Sequence, residues 1–173
     1  MHQATYVSTL TEMLRNDYAD QHCSVAGTLE LIGERWTVLI IRNAFFGIRR
    51  FDDHQRQLGV ARNVLQSRLE RLVEEGILRR ERYQERPERY EYRLTRKGVD
   101  LWPVVVSLMQ WGDRHVFTDG APLVLSHKEC GGGVDAHRRC ERCGAELNAW
   151  DVEPAMGPGA LPGQTGPRVP AEA

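Results

Sequence analysis

At 173 residues and a net charge of −1, the chain is long enough for one domain with a real core plus a small addition, and too short for two large domains. The near-neutral average argues against a polyanionic partner only until the charges are located. Residues 49–97 hold fourteen Lys/Arg against nine Asp/Glu, a local +5, whereas the remainder carries −6, so one stretch of the chain suits a polyanion.

The longest apolar run, residues 36–46 broken by Arg42 and Asn43, is too short to span a bilayer. The first residues lack the basic start and apolar stretch of a secretory signal, which gives an expected cytoplasmic location and no membrane partner. In chain order, residues 6–19 form an expected helix with a narrow stripe of Val7, Leu10, Met13 and Leu14, marginal by itself. Ser24 stands where it can cap a short helix carrying Val25, Ala26, Leu29 and Ile32, stopped by Gly33. From Thr37 a helix that is apolar almost all round (Val38, Leu39, Ile40, Ile41, Ala44, Phe45) runs toward Gly47 and belongs in the middle of a domain.

Asp52 and Gln55 read as a capping box for the next helix, which Gly59 ends. A three-residue turn leads to a helix over 62–75 with Leu65, Leu69, Leu72 and Val73 at helical spacing, closed by Gly76. Alternation over 77–83 and 90–94 predicts two strands joined by an exposed tip, 84–89, that contains Pro87. Thr95 is expected to cap a long helix to about His115, kinked at Pro103.

The apolar arc of that last helix (Val99, Leu101, Trp102, Val105, Leu108, Met109, Trp111) is wider than one packing partner requires. Together with the stripe of the first helix it predicts burial against a second copy, the alternative being that the two terminal helices pack together within one chain. Beyond Asp119 comes a short Cys/His-rich segment. Residues 154–173 are Pro/Gly-rich with few large apolar side chains, and are expected to be disordered. The expected organisation is a helix in 1–22, a helical and wing-bearing domain in 23–118, an extension in 119–153 and a tail in 154–173.

Two helices, a tight turn and an Arg-rich hairpin, in that order, build a winged helix-turn-helix, an α+β fold that is mainly α. With Leu65, Leu69 and Leu72 turned inward, Arg62, Asn63, Gln66, Ser67 and Arg71 face outward. Asn and Gln pair bidentately with adenine and Arg with guanine, while Arg68 can turn to phosphate. Arg49 and Arg50 before the pair, and Arg86 and Arg89 at the hairpin tip, add phosphate-seeking forks. Against this stand Glu81, Glu85, Glu88 and Glu91, which would equally make a solvated, salt-bridged hairpin.

Cys23-Ser24-Val25, Gly33-Glu34-Arg35-Trp36-Thr37, Arg50-Phe51, Val60-Ala61-Arg62-Asn63-Val64-Leu65, Arg68-Leu69, Gly76-Ile77-Leu78, Pro87-Glu88-Arg89-Tyr90-Glu91-Tyr92-Arg93-Leu94-Thr95 and Trp111-Gly112-Asp113 together resemble the HxlR-type bacterial transcription regulators, of the MarR-like superfamily. The resemblance covers residues 23–115. It implies a homodimer held by the first and last helices, with N- and C-terminal dimerisation helices flanking the winged domain, binding an inverted repeat in double-stranded DNA. It further implies that the helix from Arg62 reads and that the 84–89 tip is the wing. Repression is expected, since a dimer on a promoter blocks polymerase without further parts.

Cys23 precedes a helix, where a thiol can have its pKa lowered, and some relatives sense oxidants or electrophiles with a cysteine at the matching position. The bland alternative is a small buried hydrophobe. The other cysteines follow a ribbon-like pattern. His127-x2-Cys130-Gly131 and Cys140-x2-Cys143-Gly144, nine residues apart, offer two tight turns that would aim four side chains at one Zn2+. His137 competes with His127, a water could be the fourth ligand, and a redox pair at Cys140 and Cys143 is the other reading. A winged-helix protein-interaction module remains open as a function class. An enzyme is not expected, because His115 and His137 have no evident orienting carboxylate and no general base is partnered.

Overall fold

The computed structural model describes Tyr18 and residues 20–162. The expected helix over 6–19, the 1–22 dimerisation segment apart from Tyr18 and residues 20–22, and the tail beyond Pro162 therefore lie outside the described residues. The chain divides into two compact units, Met1–Arg35 and Trp36–Ala173.

In the first unit, α1 spans Ser24–Ile32. Cys23, not Ser24, is its N-cap residue, with extended backbone and no side-chain capping bond. Ser24 is already helical, and its carbonyl accepts a hydrogen bond from the Thr28 hydroxyl at 2.8 Å. The backbone N–H of Tyr18 donates to the Glu30 carboxylate.

The second unit begins with α2, Thr37–Phe45, then α3, Phe51–Leu58, and α4, Arg62–Glu74. α2 is the central helix: it packs against both α3 and α4, with Ile40 and Ile41 fully buried. Leu65, Leu69 and Leu72 are each 0% exposed, so the inward stripe of α4 is where the sequence puts it. Each such leucine contributes about 1.5–3 kcal/mol by burial.

The expected Asp52 cap is not made. Arg50 is the N-cap residue of α3, with φ −96° and ψ 146°, because it is bridged to Glu91 of the hairpin and the chain passes from that strand-like pairing straight into the helix. Asp52 and Asp53 fall in the first turn, where they still favour the helix dipole. Gly59 ends α3 with φ +62°, a left-handed conformation that glycine adopts without the Cβ penalty. Ala61, extended, is the N-cap residue of α4 two residues on.

β1, Leu78–Gln84, and β2, Arg89–Leu94, pair antiparallel from Leu78↔Leu94 to Gln84↔Arg89, with an irregularity between Arg82 and Gln84. Thr95 caps only a short helix, α5, Arg96–Val99, its hydroxyl accepting from the Gly98 N–H at 3.1 Å. A new helix, α6, Trp102–His115, follows. The expected single kinked helix is thus two helices. Pro103 lies in the first turn of α6, where a missing N–H breaks no intrahelical bond.

The C-terminal segment is built on the same core. β3, Leu123–His127, pairs antiparallel with β4, Val152–Met156. One cluster joins Phe46, Trp102 and Val106 to Leu125, Cys140, Leu147, Ala149 and Val152. The expected boundary at 153 therefore falls inside a strand. Pro154, assigned to a disordered tail, is paired in register with Leu125. A two-stranded sheet consists of edges, where a proline costs no ladder bond that a neighbour needs. Past the strand, Gly157 and Gly159 donate N–H bonds to Pro122 and Ala121.

Candidate nucleic-acid interface and metal centre

Because the leucines of α4 turn inward, Arg62, Asn63, Gln66, Ser67 and Arg71 are exposed, and Arg68 is half-buried at the edge. Arg62 folds back toward α3: its guanidinium lies 4.5 Å from the Phe51 ring centroid and 3.6 Å from the Asp52 carboxylate. Gln66 donates to Glu70 at 3.0 Å, and Arg71 pairs with Glu75 at 2.8 Å. Asn63 and Ser67 make no side-chain hydrogen bond among the described residues.

The hairpin is sewn to the segment ahead of α3. Arg49 is half-buried and its carbonyl accepts from the Tyr92 N–H at 2.7 Å. Arg50 pairs with Glu91 at 3.3 Å and stacks 4.5 Å from the Tyr83 ring. These two arginines thereby position the hairpin, a role the sequence reading did not foresee. Along the strands, most charges are mutually satisfied: Arg79–Glu81 at 2.7 Å, Arg93–Glu81 at 2.9 Å, Arg93–Glu91 at 3.0 Å and Arg82–Glu88 at 3.4 Å. The salt-bridged hairpin is real for these residues. It stops at the tip, where Arg86 and Arg89 are exposed and have no ion pair among the described residues.

Between the starts of α3 and α4 and the hairpin lies an open cleft of about 550 Å³, with Arg50, Arg56, Arg62 and Arg89 on its walls beside Asp52 and Glu88. Its aromatic lining, Phe51, Tyr83, Tyr90 and Tyr92, escaped the sequence reading. The only signal was the alternation that pairs Arg82 with Tyr90 and Arg80 with Tyr92.

His54 of α3 sits beneath this surface, 0% exposed, with neither ring nitrogen hydrogen-bonded. Burial, opposed in part by Asp53, brings its pKa from 6.5 to about 4. A neutral imidazole is the form the core accepts.

The second centre gathers His127, Cys130, Cys140 and Cys143, whose ligand atoms all lie within 4.8 Å of one another. The closest approaches are Cys130 Sγ to Cys140 Sγ at 3.3 Å, Cys130 Sγ to His127 Nδ1 at 3.3 Å and Cys143 Sγ to His127 Nδ1 at 3.4 Å. A tetrahedron with Zn–S and Zn–N bonds of the usual length spaces its corners about 3.5–3.8 Å apart. The two halves are built alike. Gly131 and Gly144, at φ +69° and +74°, close each turn by donating to the carbonyl of its first ligand, His127 at 2.7 Å and Cys140 at 2.9 Å.

Burial alone would raise the Cys140 pKa. Hydrogen bonds from the Cys143 and Arg142 backbone and from the neighbouring thiols outweigh it and bring the value to about 6. Nε2 of His127 faces the Glu129 carboxylate at 3.9 Å, beyond hydrogen-bond reach. His137, the competing histidine, is exposed and outside the group. One imidazole and three thiols suit a borderline-soft tetrahedral ion.

Cys23 stands apart. It is exposed, and the Ala26 and Val25 N–H groups at the start of α1 lower its pKa. No other cysteine lies in its unit.

Comparison with known proteins places this geometry. A family model described as HxlR-like helix-turn-helix matches residues 31–119. An uncharacterized HTH-type transcriptional regulator of Mycobacterium tuberculosis is 50% identical over 137 residues, 79% of this chain and 87% of that protein. YdeP of Bacillus subtilis, also an uncharacterized HTH-type transcriptional regulator, is 30% identical over 94 residues, 54% of this chain and 73% of its own length. Among solved structures, PA1607, described as a candidate transcription factor, superposes with a TM-score of 0.62 at 39% identity over 75% of this chain and 92% of that one. The redox regulator HypR in its oxidized form superposes with a TM-score of 0.51 at 32% identity, covering 54% of this chain and 97% of its own.

Proposed function

The chain belongs to the HxlR-like helix-turn-helix family of transcriptional regulators, and from that premise we propose that it is a cytoplasmic homodimeric repressor, not an enzyme, that binds an inverted-repeat operator in double-stranded DNA. In this reading α4 enters the major groove. Asn63, Gln66, Ser67 and Arg62 contact base edges, while Arg68, Arg71, Arg49 and Arg50 approach the backbone. Arg86 and Arg89 grip the flanking phosphates. The observation that carries it is the single cleft with Arg62 of α4 and Arg89 of the hairpin tip on its walls, next to an α4 face left polar and exposed.

The second copy is supported by a stripe on α6. Val104, Leu108 and Trp111 recur at helical spacing and are 39%, 53% and 56% exposed, with Val116 and Phe117 exposed just beyond. Such a face is costly in water and self-complementary across a two-fold axis. His127, Cys130, Cys140 and Cys143 hold a structural Zn2+ in the same proposal. No helix among the described residues is long and apolar enough to cross a membrane.

The test is selection from a random duplex pool, followed by titration and sedimentation. Enriched sequences are expected to carry two half-sites about 10–11 base pairs apart, centre to centre. No enrichment over scrambled duplex would remove the proposal. In a promoter-reporter strain, deleting the protein is expected to raise output; a fall would make it an activator.

A second reading, a thiol sensor, rests on Cys23, whose exposed thiol lies at a helix start with two N–H groups favouring the thiolate. HypR, a redox regulator, is among the structures this chain resembles. DNA affinity that falls on treatment with a disulfide reagent, and no longer does so in Cys23→Ser, is the expected outcome; equal responses would exclude it.

A further inference from the structure

The Cys/His segment is no separate appendage. Cys140, a ligand atom donor, is itself a core residue, 2% exposed, and it lies in one cluster with Phe46 of the helical body and Trp102 and Val106 of α6. Met109 of α6 and Cys130, a second donor, pack against the same cluster. A polar clamp adds to this. The Gln110 side-chain amide on α6 donates to the carbonyls of Val134 and Asp135, at 3.0 and 2.9 Å. Those residues lie in the loop between the two metal-binding turns, and the Asp135 carboxylate fixes that loop by accepting from the His137 and Arg139 N–H groups at 2.8 Å each.

Regular secondary structure within the segment itself is slight. Its regular structure among the described residues is one two-stranded sheet of five-residue strands and the isolated bridges Ser126↔Gly133, Val134↔Cys140 and Arg139↔Glu146, with single backbone hydrogen bonds such as Lys128 N–H to Asp151 and Leu147 N–H to Arg138 between them. A two-stranded sheet by itself is marginal in water, so this one depends on its packing against α6. A tetrahedral ion that joins both turns supplies the missing cross-link, because ordering the four donors is repaid by metal–ligand bonds that the unfolded segment cannot make.

α6 is therefore gripped on its inner side by the metal segment, and it presents Val104, Leu108 and Trp111 on its outer side. Phe46 lies three residues before Arg49, whose carbonyl holds the wing at Tyr92. We propose that the ion bound by His127, Cys130, Cys140 and Cys143, a thiophilic tetrahedral divalent cation of the Zn2+ class, is the tie that fixes α6 in register, so that dimerisation and DNA binding require the metal. Removing the ion frees Leu125, Leu147 and Val152 from Val106 and Trp102. It thereby uncovers a second apolar face on α6 and lets the dimer stripe shift. This rests on the DNA-binding homodimer proposed above.

The experiment uses the full chain purified without chelator. One zinc per chain is expected by elemental analysis, and Co2+ exchanged into the site is expected to give the intense visible bands of tetrahedral thiolate ligation. Chelator stripping is expected to weaken self-association in sedimentation and to raise the duplex dissociation constant at least tenfold. Zn2+ restores both and Mg2+ restores neither. Gln110→Ala touches no ligand and no groove-facing residue. It is expected to keep its zinc, fold by far-ultraviolet circular dichroism and still weaken self-association several-fold.

Stripped protein that stays dimeric and binds duplex with unchanged affinity overturns the coupling and leaves the regulator reading intact. Well-folded, dimeric protein with no bound zinc overturns it as well. Loaded protein that binds no duplex removes the regulator reading, and sedimentation then decides the coupling by itself.

Discussion

The double variant Arg86→Ala/Arg89→Ala probes the hairpin tip as a phosphate contact. Both side chains are exposed and lack an internal ion pair among the described residues, so nothing within the fold competes with a phosphate for them. Two contacts per protomer make four in a dimer. Each neutralised phosphate adds about 0.9 to the salt slope of the binding constant, so the double variant is expected to flatten it by about 3.6. Between 50 and 200 mM salt, that difference amounts to roughly 150-fold in the affinity change. The assay is fluorescence anisotropy on specific and scrambled duplexes at four or more salt concentrations, and both duplexes should lose alike, since phosphates carry no sequence. Arg79→Ala/Arg93→Ala is the internal control. Those arginines are engaged by Glu81 and Glu91 at 2.7–3.0 Å and should move the slope far less. An unchanged slope in the tip variant, or an equal change in the control, refutes the assignment.

Asn63→Ala is expected to relax preference at one base pair per half-site by about 1–3 kcal/mol, read as competition between single-base operator variants. Gln66→Ala should cost less, because Gln66 must first leave Glu70; equal losses would place both side chains in the groove unencumbered. His54 makes stability depend on pH. Its folded pKa, about 4 against an ordinary 6.5, means that the unfolded chain binds the extra proton between those values. The stabilisation is complete above pH 6.5 and falls by roughly 3 kcal/mol on acidification toward pH 4. Urea titrations across that range should show the loss, and His54→Leu should flatten it. A Cβ on Gly132 would stand 2.5 Å from Cys140 Sγ and 2.6 Å from Arg142 Cβ. Gly132→Ala should therefore lower zinc stoichiometry, whereas Gly27→Ala, which meets nothing within 4 Å, should leave it unchanged.

Both parts of the candidate site show in the sequence as local pattern. In α4, a 3.6-residue period commits Leu65, Leu69 and Leu72 to the core and leaves Asn63, Gln66 and Ser67 outside; no tertiary information is needed for that. The metal tetrad was similarly legible, because a ligand pair two apart followed by glycine is a local device that works in almost any context. The caps expected at Ser24 and Asp52 fall instead at Cys23 and Arg50, and for α3 the reason is non-local: the bridge of Arg50 to Glu91 of the hairpin sets where the helix begins. From sequence alone Pro103 reads as a kink within one helix. Its position in the chain is compatible with either arrangement, and only the break after α5 puts it in a first turn.

Local pattern, then, specified which side chains face inward, which turns need glycine and which donors share a turn, since each follows from spacing over a few residues, whereas the choice of His127 over His137 is tertiary. Tertiary structure decided which arginines are engaged inside the hairpin and which remain for a partner, because the Arg93–Glu81 and Arg82–Glu88 pairs cross from one side of the hairpin to the other. It alone also joined Cys140 to Phe46 and Trp102 across large gaps in sequence, a contact fixed by how helices and sheet fill a shared volume rather than by any periodicity along the chain.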